Sequence, residues 1–380
     1  MSRTAGVYRN PTARDWRCEP VTGIAEFHAS LPSYAPTPLV ELPELARELG
    51  VGRVFVKDES ARMGLPAFKA LGVSYAIVRA LTERLSPGAE PLPVHELRER
   101  LHGSGVTLIA ATDGNHGRAV AHLAAMLGVA AEIFVPSTVT ETARHAIEGE
   151  GATVRVLGAP YDEVVAAAAD AAADDPDALH IQDTAWPGYH EVPQWIVDGY
   201  ETLCAEADEQ LAEAGAERLD LVAVPVGVGS LAQAVVRHWR SASVPDGRRQ
   251  PTMLSVEPEL APTLIASLEA GEPVGVETGG TMMLGLDCGT LSELAWPILR
   301  DGVDAAVTVT EDDAARAVHD LQRLGVDAGP CGAASLAGLR ALRAAEHETG
   351  DAAELLPADA VVLLLSTEGS AANPLPERYR

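Results

Sequence analysis

Short β-branched runs alternate with helical patterns from Val106 onward, and this rhythm constrains the fold more than any other feature of the chain. The runs at 106–111, 131–135, 153–157 and 178–182 are separated by helical patterns at 116–127, 140–148 and 161–173. Such an order predicts a parallel sheet built from βαβ units. A second series of runs occupies 221–226, 253–256, 305–309 and 360–365, with helical patterns such as 311–324 and 331–345 between them. The chain has 380 residues, more than one hydrophobic core usually organises, so two domains are expected. The fold class is therefore α/β, with two open twisted sheets flanked by helices. No repeat of 20 to 50 residues is visible, and the alanine- and aspartate-rich stretch at 166–175 reads as a helix ending at Pro176.

In an open parallel sheet a ligand binds outside the carboxyl ends of the strands. The residues standing there are Asp113-Gly114-Asn115, Asp183-Thr184, Gly227-Val228-Gly229-Ser230 and Ser366-Thr367-Glu368-Gly369. Small, polar and acidic residues gather where a ligand belongs. The stretch Gly227-Val228-Gly229-Ser230-Leu231 runs from a strand into a helix, where glycines permit close backbone approach and free N–H groups suit a phosphate. It lacks the Lys-Ser/Thr ending of a P-loop, and Ala232 replaces the third glycine of a dinucleotide fingerprint. An ordinary strand-to-helix turn without ligand fits the same residues. Asp113-Gly114-Asn115-His116-Gly117 likewise opens a helix and offers an amide to a planar ligand, or else a plain helix cap by Asp113 or Asn115.

Lys69 follows Phe68 and begins an apolar helical pattern. A lysine so placed is desolvated enough to serve as an imine-forming amine, although a surface lysine with a snorkelling stem has the same neighbours. His116 reads as a helix-start residue, and with no second His, Cys or Glu at ligand spacing no metal is expected.

Composition narrows the partners. A formal net charge of −27 opposes binding to nucleic acid or to an anionic membrane, since both require a positive surface. Cys18, Cys204, Cys288 and Cys331 are widely spaced and read as reduced thiols. The first residues form no signal-peptide pattern and no stretch approaches a membrane span, so a cytoplasmic location is expected.

Taken in order, these pieces resemble the fold-type II pyridoxal 5′-phosphate (PLP) enzymes. The resemblance implies that Lys69 carries the cofactor as an imine, that Asn115 touches the ring and its 3′-oxygen, that residues 227–231 hold the phosphate, and that Ser366 meets the pyridine nitrogen. Within the group the chain is most similar to the diaminopropionate ammonia-lyase family. That likeness rests on Pro36-Thr37-Pro38-Leu39, Val54-Phe55-Val56-Lys57-Asp58-Glu59-Ser60, Asp113-Gly114-Asn115-His116-Gly117 and Gln182-Asp183-Thr184-Ala185-Trp186, and continues at Gly188-Tyr189, Pro193, Trp195-Ile196 and Gly199-Tyr200. Asp113 and Asp183 match the two active-site aspartates of that family.

The pattern places a small domain at 75–190 and a large domain at 1–74 and 191–380, with the cofactor expected between them, and the resemblance further implies a homodimer. The implied reaction is α,β-elimination of 2,3-diaminopropionate to pyruvate and ammonia, with catalytic residues Lys69, Asp113 and Asp183. Three stretches depart from the family pattern: Gly289-Thr290-Leu291-Ser292 with Ala295-Trp296, Ser370-Ala371-Ala372-Asn373-Pro374, and Asp327-Ala328-Gly329. They leave open a β-eliminase, β-replacement enzyme or dehydratase acting on serine, threonine or an activated serine. A non-catalytic ligand-binding protein on the same scaffold is the alternative from another class.

Overall fold

The computed structural model describes residues 7–112, 114–216, 218–241, 250–349 and 355–380. Among these, eleven strands form two sheets: β1 (Tyr8–Arg9), β2 (Leu39–Glu41), β3 (Arg53–Asp58), β4 (Thr107–Ala111), β5 (Ala130–Pro136), β6 (Thr153–Leu157), β7 (Ala178–His180), β8 (Leu221–Pro225), β9 (Thr252–Pro258), β10 (Ala305–Val309) and β11 (Val361–Ser366). The larger sheet has the order β1-β10-β9-β8-β11-β3-β2, and the smaller one β6-β5-β4-β7. The inner strands run parallel, while β1 and β2 pair antiparallel at the two edges of the larger sheet. All of the smaller sheet is parallel.

Burial explains why the pattern was readable. Every residue of β8, β9 and β11 is buried because helices cover both faces, so these strands appear in the sequence as unbroken apolar runs. β6, at an edge, is mostly exposed. β1, β2 and β3 are the strands that the pattern does not announce; the first two are short edge strands, and β3 ends on the charged pair Lys57-Asp58, of which Lys57 is completely buried. Its ammonium is held by Glu206 at 2.6 Å and the Thr37 carbonyl at 2.7 Å. Arg62, also fully buried, bonds both Glu59 and Glu206. Buried charges persist only when paired in this way.

The helix Lys69–Leu85 packs against the helices Glu191–Gly199 and Asn115–Leu127, linking the two sheets. Two glycines permit the close crossing: a Cβ on Gly72 would lie 2.6 Å from the Ile196 carbonyl oxygen, and one on Gly199 would lie 2.7 Å from the Gly72 Cα. That crossing sets where Lys69 stands. No helix of the described residues is long and apolar enough to cross a membrane.

Candidate active site

The carboxyl ends of both sheets open onto one cavity of about 540 Å3. Of the residues singled out from sequence, Phe68, Lys69, Asn115, Asp183 and all of 227–231 line it. Ser366 is fully buried beside Thr367, which lines the cavity, and Asp113 lies outside the described residues.

Lys69 is the first residue of its helix, one-fifth exposed, with Nζ 2.5 Å from Asp183 Oδ2. Burial disfavours charge on both groups, but each supplies the other's counter-ion, and the attraction prevails. The lysine is accordingly held above its ordinary range and the aspartate below, so both stay ionised. Phe68 stacks at a tilt on the buried Tyr200, ring centroids 4.8 Å apart, and carries Lys69 Nζ 5.3 Å from its own ring centroid. Asp183 follows β7 in the smaller sheet and Lys69 follows β3 in the larger, so the ion pair spans the two.

His116 closes the other side of Asp183. Its Nε2 donates to the Ile181 carbonyl at 2.7 Å, leaving Nδ1 as a buried lone pair 3.7 Å from Asp183 Oδ2. Burial lowers its proton affinity. The neighbouring His180 is pushed down to about 4 by burial, with a smaller contribution from His116.

In the loop before Asn115 the first N–H groups of the helix find a side-chain acceptor other than Asn115. Thr112 does the capping: its hydroxyl oxygen accepts the N–H of Gly114 at 2.9 Å and of Gly117 at 3.1 Å, and a side chain on Gly117 would collide with it. Asn115 is thereby free to reach across the cavity, where its Nδ2 donates to Glu368 Oε2 at 2.7 Å.

Gly229 stands at φ +96°, a conformation that L side chains rarely adopt, and turns the chain from β8 into the helix Ser230–Trp239. The first N–H groups of that helix have no acceptor within it. A Cβ on Gly227 would lie 2.7 Å from the Gly285 carbonyl oxygen, so the loop is pressed against its neighbour. Ser230 does not offer its hydroxyl outward; it donates to the Asp183 carbonyl at 2.7 Å and so ties this loop to the Lys69 partner. Ser366, fully buried at the end of β11, has a hydroxyl without a hydrogen-bond partner. Of the three departing stretches, Ala371, Ala372, Asn373 and Pro374 line the cavity directly. Ser292 accepts the Ala185 N–H at 3.0 Å, two residues from Asp183.

The pattern reading assigned no role to Glu368, Tyr200 or His116 in this cavity. Glu368 was visible only as a member of a strand-end group, and nothing in the spacing signalled its reach to Asn115, 253 residues away.

Residues 31–367 match the family described as pyridoxal-phosphate dependent enzyme. The diaminopropionate ammonia-lyase of Salmonella typhimurium is 37% identical over 362 residues, covering 91% of this chain and 88% of that protein. The crystal structure of Escherichia coli diaminopropionate ammonia lyase in complex with D-serine matches with a TM-score of 0.87 at 32% identity, over 99% of this chain and 96% of that one. The same enzyme in complex with an aminoacrylate-PLP azomethine reaction intermediate matches with a TM-score of 0.85 over the same shares.

Proposed function

The chain belongs to the pyridoxal-phosphate dependent enzyme family, and from that premise we propose that it is an ammonia-lyase converting 2,3-diaminopropionate and water to pyruvate and two molecules of ammonia. The observation that carries this reading is the Lys69–Asp183 pair, 2.5 Å apart, in the same cavity as the glycine turn at 227–231. The surroundings fit the cofactor. Ser366 has a buried hydroxyl in want of an acceptor, which suits a pyridine nitrogen, and the helix start at Ser230 suits a phosphate.

When bound, pyridoxal 5′-phosphate supplies an electron sink for the charge left at Cα on proton loss. Lys69 is the residue that carries it, and Lys69 Nζ, once released by substrate, takes the Cα proton on its own face. Asp183, a carboxylate, stabilises the Lys69 ammonium that results and binds the β-ammonium group, which leaves as neutral ammonia. Asp113 is assigned the Cα proton on the opposite face, which gives the enzyme access to both enantiomers. Phe68 and residues 227–231 position ring and phosphate, Asn115 the ring oxygen, and Ser366, a neutral hydroxyl, leaves the ring nitrogen unprotonated. That favours prompt loss of the β-substituent. Two carboxylates suit a substrate with two ammonium groups, whereas a hydroxy amino acid requires at most one.

We assign residues 75–190 to a small domain and 1–74 with 191–380 to a large one, closing over the substrate. We further assign a homodimer, for which sedimentation showing a stable monomer is the contrary result, and a cytoplasmic location, in keeping with the −27 charge and four free cysteines.

The deciding experiment compares turnover of D- and L-2,3-diaminopropionate with that of serine and threonine. Diaminopropionate should be fastest, and Asp183→Asn should slow it about 100-fold, the usual scale for a lost electrostatic contact at the reacting centre. A preference for serine, or an Asp183→Asn variant with full activity on both enantiomers, overturns the reading.

A further inference from the structure

Glu368 is a buried carboxyl group in the cavity wall, 3% exposed, with no Lys or Arg paired to it among the described residues. Its two oxygens are divided between two parts of the fold. Oε1 accepts the N–H of Cys331, in the first turn of the helix Pro330–Thr349, at 3.2 Å. Oε2 accepts Asn115 Nδ2 at 2.7 Å. Glycines make room for Glu368: a Cβ on Gly329 would stand 3.1 Å from the side-chain Oε1, and one on Gly332 would stand 2.7 Å from the backbone carbonyl oxygen. The backbone around Glu368 is joined to the segment leading into Lys69, since Phe68 N–H donates to the Thr367 carbonyl and Gly369 N–H to the Pro66 carbonyl. Asn115 follows a strand of the smaller sheet, whereas Glu368 follows β11 of the larger one. The Glu368 side chain thus ties the Asn115 loop to a helix start, and its backbone neighbours join both to the approach to Lys69.

We propose that Glu368 is a positioning residue, which holds the Asn115 amide across the cleft in the orientation that the cofactor ring requires. The inference rests on the proposed use of pyridoxal 5′-phosphate in this cavity. An asparagine amide has two N–H donors, and the one given to Glu368 fixes the plane of the group, leaving the second for the ring oxygen. Burial raises the proton affinity of Glu368, and the donors Cys331, Asn373 and Asn115 partly offset this. Glutamine at the same place keeps the shape but has one acceptor oxygen, so it serves Cys331 or Asn115 and turns an NH2 group toward the other.

The test is titration of the apoprotein with pyridoxal 5′-phosphate, followed by absorption, for the wild type, Glu368→Gln, Asn115→Ala and the double variant. Each single variant should bind about 10-fold or more weakly, the effect of a hydrogen bond to a charged group, and the double variant no worse than the weaker single. The visible band of the loaded Glu368→Gln protein should move, and its kcat should fall while KM stays near that of the wild type. Unchanged affinity in Glu368→Gln, or losses that multiply in the double variant, overturns the inference. Should Glu368→Gln not fold, slow exchange of the Asn115 side-chain amide hydrogens in the wild-type apoprotein supports the tie, and free exchange overturns it. A wild type that binds no pyridoxal 5′-phosphate removes the reading of function as well, whereas a binding wild type beside an indifferent Glu368→Gln removes the inference alone.

Discussion

Lys69 and Asp183 illustrate how two ordinary side chains acquire chemistry through mutual placement. Neither sequence neighbourhood is unusual alone; the 2.5 Å contact between residues 114 positions apart keeps both ionised in a partly buried cavity. Replacing Lys69 with Ala should therefore abolish the covalent adduct trapped by borohydride, while cofactor still binds weakly through the phosphate turn. Peptide mapping that finds the adduct on another lysine would contradict the assignment. The same substitution leaves Asp183 buried without its cation, so its carboxyl group should shift toward the neutral form. Glu368 shows the opposite situation at this scale, being a carboxyl group that accepts from neutral donors, with no Lys or Arg paired to it among the described residues.

At the scale of elements, function depends on how strands hand over to helices. The turn after β8 requires a left-handed residue at Gly229, where a Cβ would also come within 2.9 Å of Ala295 and Leu299. Gly229→Val should weaken cofactor affinity about 10-fold or more, because strain and collision together cost at least 1–3 kcal/mol of the bound geometry. Equal affinity in that variant, measured by titration of apoprotein, would mean that the phosphate lies elsewhere. The helical and strand runs from 106 onward were readable because each is either fully apolar or regularly amphipathic. β3 was not, since its apolar run is only three residues long before Lys57, whose burial becomes acceptable through Glu206, Gln210 and the Thr37 carbonyl. Likewise the helix after β4 is legible as a helix, whereas the spacing gives no sign that the Thr112 hydroxyl accepts the Gly114 and Gly117 N–H groups. A capping bond depends on side-chain direction, which periodicity does not encode.

For the whole molecule, stability should depend on pH through His238, which is nearly buried between two carboxylates. Burial works against its charge, but Asp208 and Glu201 together raise it from 6.5 to about 9. A histidine with a raised folded value stabilises fully below about 6.5, and the contribution disappears as pH climbs through about 9. His238→Gln should therefore lose on the order of 3 kcal/mol in urea unfolding at pH 6, and little at pH 10. Equal losses at both values would show that packing, not charge, is what the histidine contributes. Seen across the chain, the order of strands and helices from residue 106 onward and the small polar turns at strand ends were determined locally, since each follows from apolar periodicity and from what glycine permits. The tertiary structure alone decided which of those ends meet: that Asp183 stands against Lys69, that Ser230 is spent on the Asp183 carbonyl, and that Glu368 reaches Asn115. These are contacts between distant parts of the chain, set by how two sheets and a shared helix crossing pack, and no pattern along one segment carries that information.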